Sequence, residues 1–239
     1  MLYTLLHKRV PYQQVVEGTK GLQVGDYAEN ITDLRDNTGD NITEWNPLVA
    51  ENTGVYWIWK NDHDPVKGNC QYRRHLPLSK GLGNYKVRTC QPLLLSCSLW
   101  EQYSRFHSVK DMVLAENIIE QFFPEYSDSF RRYVKEGRYI YYSCGYMMNA
   151  EDYDRWCEFL FKFAGIFKEC RNWNTVEDVR ASVEQDIKNG VRNSVRGVRY
   201  QMQVIGFMAE RLFTLWLLHN FKHSEIVTDK YELMERSGI

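Results

Sequence analysis

The chain has 239 residues, of which 44% are hydrophobic and 26% are charged, and its formal net charge at pH 7 is −1. This composition excludes an intrinsically disordered or collagen-like chain, and the near-neutral charge lacks the basic character of a nucleic-acid binder. The length fits one domain with a sizeable core, which we predict to span residues 1–239.

The first quarter of the chain predicts a strand, an irregular region and a helix. Residues 2–6 form a short apolar run followed by polar residues, which is typical of a strand that ends at a loop. Residues 12–35 have the composition of a loop with short elements, and residues 36–41 are a dense cluster of turn formers. A helix is predicted from Pro47 to about Lys60, because proline is favoured at the first helical position.

The middle of the chain predicts three strands and two helices. Residues 68–76 and 92–98 have the apolar character of strands, and helices are expected at 99–105 and 109–121. Residues 139–148 are again rich in strand-forming residues.

The last third of the chain predicts two long helices separated by a polar segment. An amphipathic helix is expected at about 151–170 with Asn149 as its cap, and a second helix at about 204–221 precedes a polar tail. Residues 171–200 are polar and charged, which predicts a helical insertion. Strands that alternate with helices over this length favour an α/β fold with a mostly parallel central sheet flanked by helices.

The cysteines and the apolar runs indicate where the protein works. The six cysteines are scattered without Cys-x-x-Cys pairs, which favours reduced thiols. The sequence lacks the features of a signal peptide, and no apolar run approaches the roughly 20 residues that a membrane helix needs. We therefore expect a cytoplasmic protein that can touch a membrane surface from the inside.

A set of motifs occurs in order along nearly the whole chain. The motifs are residues 36–42 (Asp-Asn-Thr-Gly-Asp-Asn-Ile), Asn46 and Glu51, residues 56–60 (Tyr-Trp-Ile-Trp-Lys), residues 70–74 (Cys-Gln-Tyr-Arg-Arg), Tyr103 with His107 and Asp111, and residues 206–212 (Gly-Phe-Met-Ala-Glu-Arg-Leu). The set resembles a bacterial family of capsular and exopolysaccharide glycosyltransferases long catalogued as a domain of unknown function. Gln71 departs from the histidine that is usual in that family.

The resemblance implies a fold, an activity and partners. The fold would be GT-A-like, which is a Rossmann-like arrangement, and the activity would be transfer of a sugar from a nucleotide-sugar donor. UDP is the favoured nucleotide, and galactofuranose or galactose is the expected sugar. The acceptor would be a lipid-linked oligosaccharide of a surface polysaccharide, and no nucleic acid is expected as a partner.

Residues that follow the predicted strands are the candidates for donor binding. Arg73 and Arg74 lie near the C-terminal end of a predicted strand, where open α/β sheets bind ligands, and guanidinium groups suit phosphate oxygens. Strand alternation puts them on opposite faces, so we expect one of them to reach the phosphates, and a salt-bridged surface pair is the alternative. The other candidates are His7 and Lys8 after the first strand, Asp36, Asn37, Asp40 and Asn41 in the turn cluster, and, through the resemblance, Tyr72 and Arg211.

Three side chains are candidates for catalysis. Glu210 shares a helical face with apolar residues, and burial would raise its pKa toward that of a useful base; the apolar residues are Phe207, Phe213 and Leu217. The alternative for Glu210 is a structural ion pair with a neighbouring arginine. His107 and Asp111 are four residues apart, so on one helix they could hydrogen-bond and act as a base or bind acceptor hydroxyls. The alternative for this pair is a helix cap and a surface contact.

The pattern Asp62-His63-Asp64 has the spacing of the Asp-x-Asp motif that holds a divalent metal against the diphosphate in many GT-A enzymes. Its position before a predicted strand favours a solvated loop instead. Mn²⁺ or Mg²⁺ is therefore a candidate cofactor, and action without a metal is the alternative. Besides a transferase, a non-catalytic nucleotide- or carbohydrate-binding subunit and a nucleotide-sugar hydrolase stay open as functions.

Overall fold

The computed structural model describes residues 1–8, 15–25, 28–142 and 145–233. The described strands are β1 (Leu2–Leu6), β2 (Lys20–Gln23), β3 (Val66–Gln71), β4 (Arg74–His75), β5 (Val87–Cys90), β6 (Leu93–Leu94), β7 (Tyr139–Ile140), β8 (Gly145–Asn149), β9 (Ile226–Asp229) and β10 (Glu232–Leu233). The described α-helices are α1 (Asn46–Val49), α2 (Asn52–Asn61), α3 (Leu99–Phe106), α4 (Val109–Phe122), α5 (Ser127–Phe130), α6 (Ala150–Cys170), α7 (Val176–Lys188), α8 (Gly197–Gln201) and α9 (Val204–Asn220).

One sheet organises the described part of the chain. β1 pairs in parallel with β2 and β3, and β5 pairs in parallel with β9. β8 lies antiparallel between β3 and β5, so β1, β2, β3, β5 and β9 all run in the same direction. The predicted α/β class with a mostly parallel central sheet flanked by helices is confirmed. The carboxyl ends of these strands share one edge, where open α/β sheets bind ligands.

Helix α9 packs unusually closely against the end of α1. A Cβ atom at Gly206 would lie 2.8 Å from the Cβ atom of Ala50, so only glycine allows this approach. Ala50 has a φ of 53°, which ends α1 and starts a new helix two residues later. The predicted helix from Pro47 to Lys60 is therefore broken at Ala50, and the break turns Glu51 toward the sheet edge beside α9.

Helices with strong local signals lie close to their predicted positions. The predictions at 99–105, 109–121, 151–170 and 204–221 match α3, α4, α6 and α9 within about two residues at each end. Asn149 caps α6, because its Oδ1 accepts a hydrogen bond from the backbone N–H of Asp152 at 2.8 Å. Ser98 and Glu101 form a capping box at α3. The predicted helical insertion at 171–200 contains α7 and the start of α8.

The short strands differ from their predicted positions. Of the predicted strand at 92–98, Leu93–Leu94 forms the short strand β6, which pairs with β7 and not with the central sheet. Pro92 has no N–H to donate and Ser98 caps α3, so the strand of the central sheet is β5, which precedes this segment. The polar tail supplies β9, whose Asp229 forms a salt bridge with Lys80 at 2.8 Å and another with Arg88. Of the predicted strand at 139–148, residues 143 and 144 lie outside the described residues.

Within the described ranges, none of the helices combines the length and the apolar character needed to cross a bilayer.

Candidate functional site

A cavity of about 600 Å³ opens at the carboxyl edge of the sheet. We call its wall of strand ends and helix starts the sheet half, which contains His7, Lys8, Val24, Asn46, Ala50, Glu51, Asn52, Gln71, Arg73 and Arg74. We call the opposite wall the helix half, which contains Gln102, Phe106, His107, Arg196, Arg199, Tyr200, Gln203, Gly206, Phe207, Glu210 and Arg211. The predicted site residues His7, Lys8, Arg73, Arg74, His107, Glu210 and Arg211 thus meet in one cavity.

Two adjacent arginines dominate the sheet half. β3 ends at Gln71 and the chain turns back into β4 at Arg74, so the alternation of a continuous strand does not separate Arg73 from Arg74. Both line the cavity, so the sheet half offers two guanidinium groups where strand alternation predicted one. Two guanidinium groups at a strand end form a site suited to phosphate oxygens.

A hydrogen-bonded chain connects Arg74 to Glu51. Arg74 Nη1 donates to Gln71 Oε1 at 3.2 Å, and Gln71 Nε2 donates to Glu51 Oε2 at 2.6 Å. Burial raises the pKa of Glu51, and the charge of the nearby Glu210 raises it further. The hydrogen bond from Gln71 and the charge of Arg74 lower this pKa. The cavity therefore holds two carboxylates that influence each other, with Arg74 close to both.

The helix half is built on one face of α9. Between residues 203 and 217 this helix is buried except at Gln203, Gly206, Phe207 and Glu210. Their spacing of three and four residues places them on a single helical face, and that face lines the cavity. An otherwise buried helix thus presents one carboxylate to a ligand site.

Glu210 lies where the apolar core meets the cavity. Phe213 and Leu217 behind it are fully buried, and the Glu210 side chain itself is 24% exposed. Burial raises the pKa of Glu210, and the charges of Arg211 and Arg74 oppose the rise. Arg211 Nη1 donates to Glu210 Oε2 at 2.8 Å, so the acid is both partly desolvated and paired.

His107 lines the cavity without pairing with Asp111. It ends α3 as the residue after the helix, whereas Asp111 belongs to α4 and is hydrogen-bonded elsewhere. Gln201 Nε2 donates to the carbonyls of Phe106 and Val195, so its Oε1 accepts from His107 Nδ1 at 3.2 Å. Burial lowers the pKa of His107 to about 4, which makes this neutral imidazole a weak base.

Asp111 is a structural residue rather than a catalytic one. Its side chain is 1% exposed and lies outside the cavity wall. Its carboxylate accepts from Arg192 Nη2 at 2.8 Å and from the Tyr103 hydroxyl at 2.9 Å. The predicted catalytic role of Asp111 is therefore corrected to that of a buried ion-pair partner, because no ligand in the cavity could reach it.

The turn cluster at residues 36–41 lies outside the cavity wall as well, which corrects the predicted donor-binding role of Asp36, Asn37, Asp40 and Asn41. Asn61 on α2 donates to the backbone carbonyl of Asp40 at 2.8 Å and accepts from its N–H at 3.1 Å. Asn41 Nδ2 donates to the carbonyl of Gly39 at 2.9 Å. Asn61 thus holds the turn against the end of α2, and Asn41 stabilises the turn internally.

Asp62 and Asp64 lie at the opposite edge of the sheet from the cavity. They precede the start of β3, and their carboxylates contact the amino group of Met1 at 3.1 and 2.7 Å. This position separates them from the cavity, which the carboxyl ends of β1 and β3 meet. Among the residues that the structure describes, no group of three or more His, Cys, Asp and Glu side chains is arranged to hold a metal ion.

Tyr72 supports the cavity from behind. Its side chain is fully buried and is absent from the cavity wall, in contrast to the donor contact predicted for it. Its ring contacts the His7 ring edge-on with centroids 4.8 Å apart, and its hydroxyl lies 3.3 Å from His7 Nε2. Tyr72 therefore orients His7 rather than the ligand.

Several cavity residues had no predicted role. Glu51 and Gln71 were visible within motifs but were assigned only to a helix and a strand, and the polar insertion hid Arg196, Arg199 and Tyr200. The sequence does contain one signal for them. Arg196 and Arg199 are three residues apart and Tyr200 follows, a spacing that places all three on one side of a helical turn.

Comparisons with known proteins agree with this architecture. A family model described as Domain of unknown function (DUF4422) matches residues 1–91 and 78–221. No curated protein matches the chain. The apo structure of the WbbM bifunctional glycosyltransferase is similar with a TM-score of 0.74 and 20% sequence identity over 97% of this chain, which shows a shared fold. The present chain spans 44% of that longer chain.

Proposed function

We propose that this chain, which belongs to the family described as Domain of unknown function (DUF4422), is a glycosyltransferase that uses a nucleotide-sugar donor. The observation that carries the proposal is the cavity at the carboxyl edge of the sheet, with an arginine pair on one wall and a partly desolvated carboxylate on the other. The fold shared with WbbM, a bifunctional glycosyltransferase, supports it.

The sheet half is the proposed donor site. Arg73 and Arg74 bind the diphosphate, whose negative charge grows as the bond to the sugar breaks, and fixed positive charges stabilise that change. His7 and Lys8 follow β1, where the nucleoside of a Rossmann-like site lies. UDP is the nucleotide we expect, with galactose or galactofuranose as the sugar, because of the family that the motifs resemble.

The proposed reaction is an inverting transfer with Glu210 as the base. An acceptor hydroxyl oxygen attacks the anomeric carbon and forms the new glycosidic bond, while the bond from that carbon to the diphosphate oxygen breaks. The electron pair of the broken bond leaves with the diphosphate, and the hydroxyl proton passes to the Glu210 carboxylate. Glu51, through Gln71, holds Arg74 in place for the leaving group.

The remaining partners are proposals from the same resemblance. A lipid-linked oligosaccharide of a surface polysaccharide is the expected acceptor, which places the work of the protein at the inner face of the cytoplasmic membrane. A requirement for Mn²⁺ or Mg²⁺ stays a prediction, and no step above is assigned to a metal because Asp62 and Asp64 do not fit a donor site.

Donor binding tests this proposal through the two arginines. Replacing Arg73 or Arg74 with alanine removes charge-assisted hydrogen bonds, and we expect each change to weaken UDP binding by about 1.5–3 kcal/mol, measured by isothermal titration calorimetry. Arg180→Ala is the matched control, because Arg180 is exposed on α7 outside the cavity wall. Unchanged UDP affinity in both folded variants would remove these arginines from the donor site.

A further inference from the structure

The helix half carries arginine side chains that have no role in the proposed donor site. Its wall contains Arg196, Arg199 and Arg211 but a single carboxylate, Glu210. Glu210 is paired with Arg211. Within the residues that the structure describes, Arg196 and Arg199 form no salt bridge, and both are exposed. Two guanidinium groups without a carboxylate partner on a cavity wall are an anion-binding arrangement.

Arg211 adds a buried guanidinium group to this arrangement. Its side chain is 4% exposed, and its Nη1 atom donates to the carbonyl of Phe207 at 2.7 Å as well as to Glu210. Its Nε atom is buried with no hydrogen-bond partner among the described residues. This donor is too deeply buried to contact a ligand itself, so Arg211 contributes to the wall through its positive charge.

Aromatic rings next to the arginines fit a sugar. His107 stacks on Phe207 with ring centroids 4.2 Å apart, and Tyr200 lies against Phe207 at 4.7 Å. Flat rings offer an apolar surface for the C–H face of a sugar, while the adjacent arginines would contact a charged substituent. The combination on one wall suits a charged sugar rather than a free inorganic anion.

The segment that carries the arginines is held in place. Gln201 Nε2 donates to the carbonyl of Val195 at 3.1 Å, and Asn193 Oδ1 accepts from the N–H of Val195 at 2.8 Å. Arg192, fully buried, anchors the segment to Asp111 on α4. The guanidinium group of Arg196 lies 5.0 Å from the centre of the Tyr200 ring. These contacts fix the direction in which the segment faces the cavity.

We propose that the helix half binds the acceptor through an anionic group, a carboxylate or phosphate carried next to the sugar that receives the new bond. This rests on the proposed function, because it treats the sheet half as the donor site and leaves the helix half for the acceptor. The arginine pair on the sheet half already meets a donor diphosphate. Arg196 and Arg199 therefore select the charge of the second substrate.

The test compares ligands that differ in one charge, measured by calorimetry on the full chain with excess UDP present. Methyl galactoside and methyl galacturonide differ in a hydroxymethyl group and a carboxylate, and farnesyl diphosphate represents the charged end of a lipid carrier. We expect about fivefold tighter binding of the galacturonide at low salt, because exposed ion pairs are individually weak, and loss of that preference in 0.5 M salt. We expect the R196Q/R199Q double variant to lose the preference, and R180Q to keep it.

The outcomes distinguish an anion on the glycan from an anion on the lipid carrier. They also test the anion site separately from the proposed function. Preference for the galacturonide assigns the charge to the glycan, and binding of farnesyl diphosphate that depends on Arg196 and Arg199 assigns it to the lipid carrier. Equal affinities for the two glycosides, with farnesyl diphosphate binding unaffected by the double variant, overturn the inference. So does a loss of UDP affinity in R196Q/R199Q as large as in Arg74→Ala. If UDP does not bind the wild type at all, the proposed UDP donor fails, while the glycoside comparison still decides the anion site.

Discussion

Replacing Glu210 with glutamine is expected to lower the turnover of sugar transfer by about 10²–10⁴-fold, with little change in donor affinity or melting temperature. Glutamine keeps the size of the side chain and one hydrogen-bond acceptor but cannot take a proton from the acceptor hydroxyl. Steady-state kinetics with a UDP-sugar, together with UDP titration and thermal unfolding, measure the three quantities.

The contacts of Arg211 explain why stability should survive this substitution. Arg211 also donates to the carbonyl of Phe207 and to the side-chain oxygen of Gln102, so it keeps two partners when the charge of Glu210 is removed. Glu210 lies at the cavity surface rather than in the closed core. If it were only a buried ion-pair partner, its loss would cost about 3–5 kcal/mol of unfolding free energy.

The pH dependence follows from the raised pKa of Glu210. The base acts only when ionised, so kcat falls as pH decreases through a value above the ordinary range of a glutamate. Glu210→Gln should lack this acidic limb. Glu158→Gln, on the exposed face of α6, is the matched control and should keep both the limb and the wild-type rate. A Glu210→Gln variant that melts early yet transfers sugar at near wild-type rate would show that the role is structural.

Replacing Arg192 with methionine is expected to lower the free energy of unfolding by about 3–5 kcal/mol, measured by urea denaturation. Asp111 would then be a buried carboxylate without its cation, and Arg192 Nη2 supplies its only charged hydrogen bond among the described residues. Burial already raises the pKa of Asp111, and the charge of Arg192 opposes that rise. Removal of the cation leaves the desolvation of this carboxylate uncompensated.

The double variant D111L/R192M separates a buried ion pair from ordinary packing. Removal of both charges should recover much of the lost stability, because no unpaired ion stays in the core. Arg131→Met breaks the exposed pair with Asp128 and should cost no more than about 1 kcal/mol. A cost below about 1 kcal/mol for Arg192→Met as well would mean that Arg192 does not anchor the segment before α8.

Sequence patterns placed the long helices well because their signals are local. The caps Ser98 and Asn149 directly precede α3 and α6, and the apolar faces of α6 and α9 are formed by residues of those helices themselves. The strands β5 and β9 were missed because each is four residues long and is stabilised by pairing with the other, more than a hundred residues away. Such pairing leaves little trace in the local composition of either strand.

The difference between local signals and long-range contacts also explains which site residues the sequence predicted. The rule that ligands bind beyond strand ends selected His7, Lys8, Arg73 and Arg74, and all four line the cavity. Spacing within a helix failed for His107 and Asp111, because α3 ends at Phe106 and a new helix starts at Val109.

Glu51 belongs to a motif, but no sequence pattern predicts its place in the cavity. Its position depends on the backbone break at Ala50 and on the close packing of that break against Gly206. Both are consequences of tertiary contacts, since alanine rarely adopts a positive φ by itself.

Nucleotide release tests the central claim most directly. The wild-type chain and Glu210→Gln are each incubated with a panel of UDP- and GDP-sugars, with and without lipid-linked or alkyl glycoside acceptors, and free nucleotide is followed over time. The proposed transferase predicts UDP release that depends on both a UDP-sugar and an acceptor, and that nearly disappears in Glu210→Gln. UDP binding without release in any mixture would indicate a non-catalytic binding subunit, and equal release without an acceptor would indicate a hydrolase; either result would contradict the proposed transfer.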